Sequence, residues 1–141
     1  MSGLYDEDIV LWSERQAELL RRVAAGEPVS EAPDWPNIVE EIESVGSEQI
    51  HAVTSLLRQA LIHMLKAEAW PQSRDAPSWR ADAIGFRAQA SDRYVASMRQ
   101  KIDLARLYRQ ALRAIPETVD GIAPLPIESE IPTLDELLSD D

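Results

Sequence analysis

The sequence contains no cysteine. Disulfides, thiolate-ligated metals and cysteine nucleophiles are excluded together, and nothing ties the chain to an oxidising compartment. Only five glycines occur, and none forms a phosphate-cradling run or a Gly-x-Ser-x-Gly elbow. Nucleotide loops and the hydrolase nucleophile turn are therefore missing. Histidine is limited to His51 and His63, so without cysteine a zinc set would have to be completed by carboxylates. No apolar run approaches the roughly 18 residues that a membrane span needs. No alternating apolar–polar run lies between turn signals, so no strand is expected, and no repeat recurs at solenoid spacing. The segment Ser2-Gly3-Leu4-Tyr5-Asp6-Glu7-Asp8 is acidic where a secretory signal is basic. A cytoplasmic protein of bacterial type is the expectation.

What is present suffices for a packed domain. The chain has 141 residues, 45% of them hydrophobic, which excludes compositional disorder. The net charge of −11 disfavours bulk attraction to a phosphate backbone. The charge is laid out unevenly. Residues 1–57 hold 3 basic and 12 acidic groups, residues 58–113 hold 11 and 5, and residues 114–141 hold none and 8. The outer segments can neutralise the basic middle by packing beside it, and this reading is preferred to a basic face offered to an anionic partner.

Helical periodicity dominates. Asp6 is the expected cap of a first helix, with Tyr5 and Val10 as its hydrophobic staple. Ile9, Trp12, Leu19, Leu20 and Val23 follow on one face, and Gly26 and Pro28 stop the helix. Asp34-Trp35-Pro36 opens a second helical stretch, expected from about Pro36 to Ala69 with a bend permitted at Gly46. Trp70-Pro71 ends it, and Ser78 is the expected cap of the next. Trp79, Ala83, Phe86, Ala90, Tyr94, Met98, Ile102, Ala105, Tyr108, Leu112 and Ile115 keep one phase, giving one very long helix or two with a bend near Ser97. Pro116 closes the helical region, and Thr133-Leu134-Asp135-Glu136 is a capping box for a short last helix. The fold expected is all-α: an antiparallel helical bundle over 1–115 with long helices, and an acidic, proline-rich segment 116–141 ending in a short helix and packed on or beside it. Trp12, Leu20, Ile42, Leu57, Leu61, Phe86, Tyr94 and Leu112 are its expected core.

Candidate chemistry is sparse. Glu48-x-x-His51 is half of a helical di-metal motif whose second pair is missing, because Ala60 stands where the partner glutamate of His63 would be. No metal site or cofactor is therefore assigned. His63 and Lys66 lie one turn apart, where cations suit the end of a helix, or could work as an acid/base pair with Glu40, Glu41 or Glu43. Trp12, Trp35, Trp70 and Trp79 stand at element junctions, where they lock packing or anchor a partner.

Together these residues resemble a known family. Tyr5-Asp6-x-Asp8 followed by Trp12 is similar to its opening. Asp34-Trp35, Glu40-Glu41-Ile42-Glu43 with Val45-Gly46, His63-Met64-Leu65-Lys66, Pro71 and Trp79-Arg80 follow in its order, and Pro132-Thr133-Leu134 with Leu137-Leu138 is similar to its close. The family is domain of unknown function 29, small bacterial proteins. The resemblance implies an all-helical fold and no assigned activity. It marks Asp34, Trp35, Glu40, Glu41, Glu43, His63, Lys66, Trp79 and Arg80 as family-pattern positions, with no catalytic role attached. The sequence lacks the family's proline-containing bend near Ala96-Ser97-Met98-Arg99, which predicts a longer helix here, and its C-terminal segment is shorter and more acidic.

The leading functional reading is a non-enzymatic protein-interaction module with a protein partner and no membrane attachment; binding to nucleic acid is not expected, and homo-oligomerisation stays open. The alternative is a small enzyme or ligand-binding domain using a Glu/His/Lys/Arg cluster, and a third reading is a nucleic-acid-associated regulator. Geometry separates the first two. In an unbroken helix Glu43 and His63 stand about 30 Å apart. A sharp turn at Gly46 would bring them together. Glycine without a proline soon after it is a weak terminator, which favours His63, Lys66, Trp79 and Arg80 in one group and the glutamates on a separate surface.

Overall fold

The computed structural model describes residues 3–139. The described chain is all-α, with an isolated β-bridge between Val119 and Ile122. It divides into two compact units, Met1–Ser47 and Glu48–Asp141. Among the described residues, no helix is long and apolar enough to cross a membrane.

The first unit holds α1 (Leu4–Glu7), α2 (Ile9–Ala24) and the opening turns of α3 (Trp35–Ala69). The cap expected at Asp6 falls instead on Asp8, whose carboxylate accepts from the Leu11 amide at 3.0 Å. Asp6 lies inside the short α1, so the first turns form two helices rather than one. The staple does not form either. The Tyr5 ring meets the edge of Trp12 at 4.8 Å, and Val10 is exposed. At its far end α2 closes in a Schellman motif. The Gly26 amide bonds to Val23 and the Glu27 amide to Arg22, with Gly26 at φ +74°. Only glycine reaches that conformation without strain. Among the described residues of this unit, Trp12, Leu19, Pro33 and Ile38 are buried.

In the second unit α3 presents Val53, Leu57, Leu61 and Leu65, one per turn, to a core completed by Ala90, Met98, Leu107, Tyr108, Ala111 and Leu137. A second cluster gathers Ala67, Ala69, Trp70, Ala76 and Trp79. Helix α4 (Ala76–Arg93) starts after Asp75 rather than at Ser78, because Pro77 fits its first turn. It stops where Tyr94 turns to φ −68°, ψ 137°. A 3₁₀ segment (Ala96–Lys101) and α5 (Leu104–Ala114) follow, the latter capped by Asp103, which accepts from the Arg106 amide at 3.1 Å. The single long helix is thus corrected to two helices separated by extended residues and a 3₁₀ turn. No proline or glycine causes the break. Burying Met98, Leu107 and Tyr108 in one core overrides local propensity. The C-terminal segment turns at Asp120-Gly121, both with positive φ, inside the Val119–Ile122 bridge. It ends in α6 (Leu134–Leu138), capped by Thr133 through the Glu136 amide at 3.1 Å.

Of the expected core, Trp12, Leu57 and Leu61 are buried, and Leu20, Phe86 and Tyr94 are half-buried. Ile42 is 68% exposed and Leu112 37% exposed, so both leave the core. Leu112 is displaced because Leu107, Tyr108 and Ala111 define the buried face of α5. Part of the anticipated neutralisation is present. Arg99 pairs with Asp135, and Arg87 donates to the carbonyls of Glu136 and Leu137 at 2.7 and 3.0 Å.

Candidate functional site

Helix α3 runs through Gly46 without interruption. The nine family-pattern positions therefore fall into separate groups, the glutamates with Asp34 and Trp35 in the first unit and the rest in the second.

In the first unit Asp34 is the joint between α2 and α3. Its carboxylate accepts from Trp12 Nε1 at 2.9 Å and Asn37 Nδ2 at 2.8 Å, while its amide donates to Gln16 Oε1 at 2.7 Å. The bonds from Asn37 and Trp12 hold the Asp34 carboxyl below its ordinary range. Glu41 accepts a hydrogen bond from the Tyr5 hydroxyl, and this bond, with the added cost of burial and the nearby negative charge, pushes the phenol up to about 12. Asp34 and Glu41 are thus occupied in holding helices together.

Trp35, Glu40 and Glu43 are different, because they face solvent. Trp35 is 49% exposed and begins an apolar row with Val39, Ile42 and Val45, exposed at 51%, 68% and 60%. These positions follow at steps of four, three and three residues, the spacing that aligns side chains along a helix. Ile38, one position before Val39, is buried. Ile38 and Ile42 are one turn apart on the same face, so that face is covered at Ile38 and bare around it. The sequence reading missed this by assigning Ile42 to the core. The surrounding unit is strongly acidic, with eleven carboxylates in residues 1–47 against Arg15, Arg21 and Arg22. Each of these arginines pairs with Glu18 or Glu31.

In the second unit His63, Lys66 and Trp79 converge between α3 and α4. His63 Nδ1 donates to the Gln59 carbonyl at 2.7 Å, and Nε2 lies 3.8 Å from Asp82. Its ring stands 5.3 Å from Phe86. The Lys66 ammonium sits 4.6 Å over the buried Trp79 ring. That cation–π contact and the backbone bond of His63 suit a packed joint. Arg80 lines an adjacent groove of about 370 Å³ with Met64, Glu68 and Arg87. Glu68, unremarked in the sequence, reaches across to the C-terminal segment. Burial acts to raise its pKa, but bonds from the Ser129 hydroxyl and the Ser129 and Glu128 amides together hold it low. A smaller apolar hollow of about 160 Å³ lies between Trp70, Val119, Ile122 and Leu125. Among the described residues no three histidine, aspartate or glutamate side chains gather as metal ligands.

The solved structure of an alpha-helical protein of unknown function from Rhodospirillum rubrum is similar to this chain with a TM-score of 0.60 and 23% identity, covering all of this chain and 92% of the other. At that identity the likeness speaks to the fold alone. No curated protein matches the chain. The family described as the domain of unknown function DUF29 matches residues 4–141. The chain therefore belongs to that family.

Proposed function

We propose that this protein is a cytoplasmic interaction module whose docking surface is the bare stripe Trp35, Val39, Ile42 and Val45, and whose occupant is a basic amphipathic helix of a partner protein. The observation carrying this reading is the exposure of four large apolar side chains in register on one helix. Burying such a side chain fully is worth roughly 1.5–3 kcal/mol, so four half-exposed ones offer roughly 3–6 kcal/mol. Association itself costs roughly 4–15 kcal/mol, so the stripe needs further attraction. The acidic excess of residues 1–47 supplies it, because their arginines are already paired. The same charge makes a second copy of this face an unfavourable occupant. A basic helix, apolar along one side, matches both features. Generic duplex DNA, a polyanion, does not. Lysate capture with wild-type protein and with Ile42→Asp, followed by mass spectrometry and cross-link mapping, tests this. Support is a partner lost in the variant, whose cross-links join a basic helical segment to residues 35–45. An unchanged set of captured proteins, or a dimer dissolved by Ile42→Asp, overturns it.

A further inference from the structure

The basic middle of the sequence is only partly neutralised, and three of its unpaired cations line one hollow. Arg58 of α3, Lys101 at the end of the 3₁₀ segment and Arg106 in the first turns of α5 line a single hollow of about 260 Å³, together with His51 and Gln110. None of these three cations forms an ion pair with a described carboxylate. Asp103 also lines the hollow, but its carboxylate is turned to capping by accepting from the Arg106 amide at 3.1 Å. The lining thus carries three fixed positive charges against one negative. In a chain with 25 acids and 14 bases, unpaired cations sharing one concavity are a departure from the overall composition. Arg58 is half-buried and is held by donating to Gln110 Oε1 at 3.1 Å, which orients a guanidinium whose other N–H groups have no described partner.

We infer that this hollow binds a small phosphate monoester, with Arg58 and Arg106 gripping the phosphate oxygens and Lys101 balancing the second negative charge. The planar fork of arginine matches phosphate oxygens in pairs, and lysine serves as a point charge. A net lining charge of plus two, His51 being counted as neutral, matches a dianion. The volume is close to the low end of small-ligand sites, roughly 300–1,000 Å³, and so fits a phosphate with a short body rather than a polymer. The whole-chain charge of −11 opposes a nucleic-acid backbone but is largely screened at the scale of one bound dianion. This site lies within Glu48–Asp141 and is independent of the docking stripe.

The test is titration calorimetry of the full chain with inorganic phosphate and glycerol phosphate, with succinate as a dicarboxylate and with vesicles of phosphatidylcholine containing phosphatidic acid. The expected result is saturable binding of both soluble phosphates, weakened roughly tenfold or more by Arg58→Gln and by Arg106→Gln. Arg74→Gln, a surface change outside the hollow, should leave it unaltered. Circular dichroism of each variant confirms folding, and Arg58→Lys, which keeps the charge but loses the fork, should bind with intermediate strength. Absence of phosphate binding, equal binding of succinate, binding only to the vesicles, or full binding by Arg58→Gln would each overturn the inference.

Discussion

Leu61 and Leu137 are both 1% exposed and sit in the same core cluster, yet truncating them should not have the same consequence. Leu61 lies well inside α3, where a helix of 35 residues cannot move aside without unfolding its surroundings. Leu61→Ala should therefore cost the full transfer and cavity terms, about 2–5 kcal/mol. Leu137 belongs to α6, five residues long and preceded by irregular chain. An isolated helix of that length is not stable in water, so α6 exists only while docked. Its other ties are the Thr133 cap, the Arg99–Asp135 pair and the carbonyl contacts made by Arg87 and Ser91. Once the cost of Leu137→Ala exceeds the docking energy of α6, the segment detaches and the loss stops growing. Urea unfolding followed by far-ultraviolet circular dichroism gives the global cost of each variant, and hydrogen exchange gives the local one. Leu61→Ala should lower the global stability more than Leu137→Ala. Leu137→Ala should speed amide exchange in residues 134–138 while leaving α3 protected. A larger global loss from Leu137→Ala, or a loss below about 1 kcal/mol from Leu61→Ala, would refute this assignment of the core.

Other outcomes follow from single contacts. Gly46→Ala should stabilise the protein by about 0.5–1 kcal/mol in thermal melts, because Gly46 is mid-helix with nothing within 4 Å of an added Cβ; destabilisation would place a turn there. The Tyr5 phenol is raised from 10.0 to about 12, so its hydrogen bond to Glu41 contributes fully below pH 10 and is lost as pH rises through 12. Ultraviolet titration should show a late phenolate that is absent in Tyr5→Phe, and an ordinary midpoint for Tyr5 would contradict the contact. The Asp34 carboxyl is lowered, so its stabilisation is present above the unfolded value of 3.8 and fades as pH falls through the lower folded value. Carboxyl NMR of Trp12→Phe should show the Asp34 midpoint moving upward. Thr133→Ala should cost about 1 kcal/mol in α6 docking, measured by hydrogen exchange.

The helical class and most boundaries were legible from residue chemistry. Gly26 ends α2 as a left-handed cap, Pro36 sits in the first turn of α3, and Thr133 caps α6, each through a local rule that tertiary packing did not overrule. The break after Arg93 was not legible in this way. Tyr94 and Val95 carry no helix-breaking signal, and the phase of apolar residues continues across them, so only burial of Met98 against α5 and α6 decides it. Asp103 could have marked the start of α5, since an aspartate ahead of Leu104-Ala105-Arg106 is a good cap. The candidate site was legible as residue types but not as roles. His63 was read as potential acid/base chemistry and Asp34 only as a family-pattern position, whereas their partners tie them to backbone and indole groups. Ile42 was read as core, whereas it lies in the bare row on α3. Periodicity reports which residues share a face and is silent on whether anything covers that face.

The most direct test of the proposed docking surface is a photo-crosslinking residue placed at position 42 in the full chain and activated in the living source cell. The account predicts one dominant adduct to a protein of different sequence, joined within a lysine- or arginine-rich amphipathic helix and lost when Val39→Asp is added. Adducts only to another copy of this chain, or to no protein at all, would contradict it.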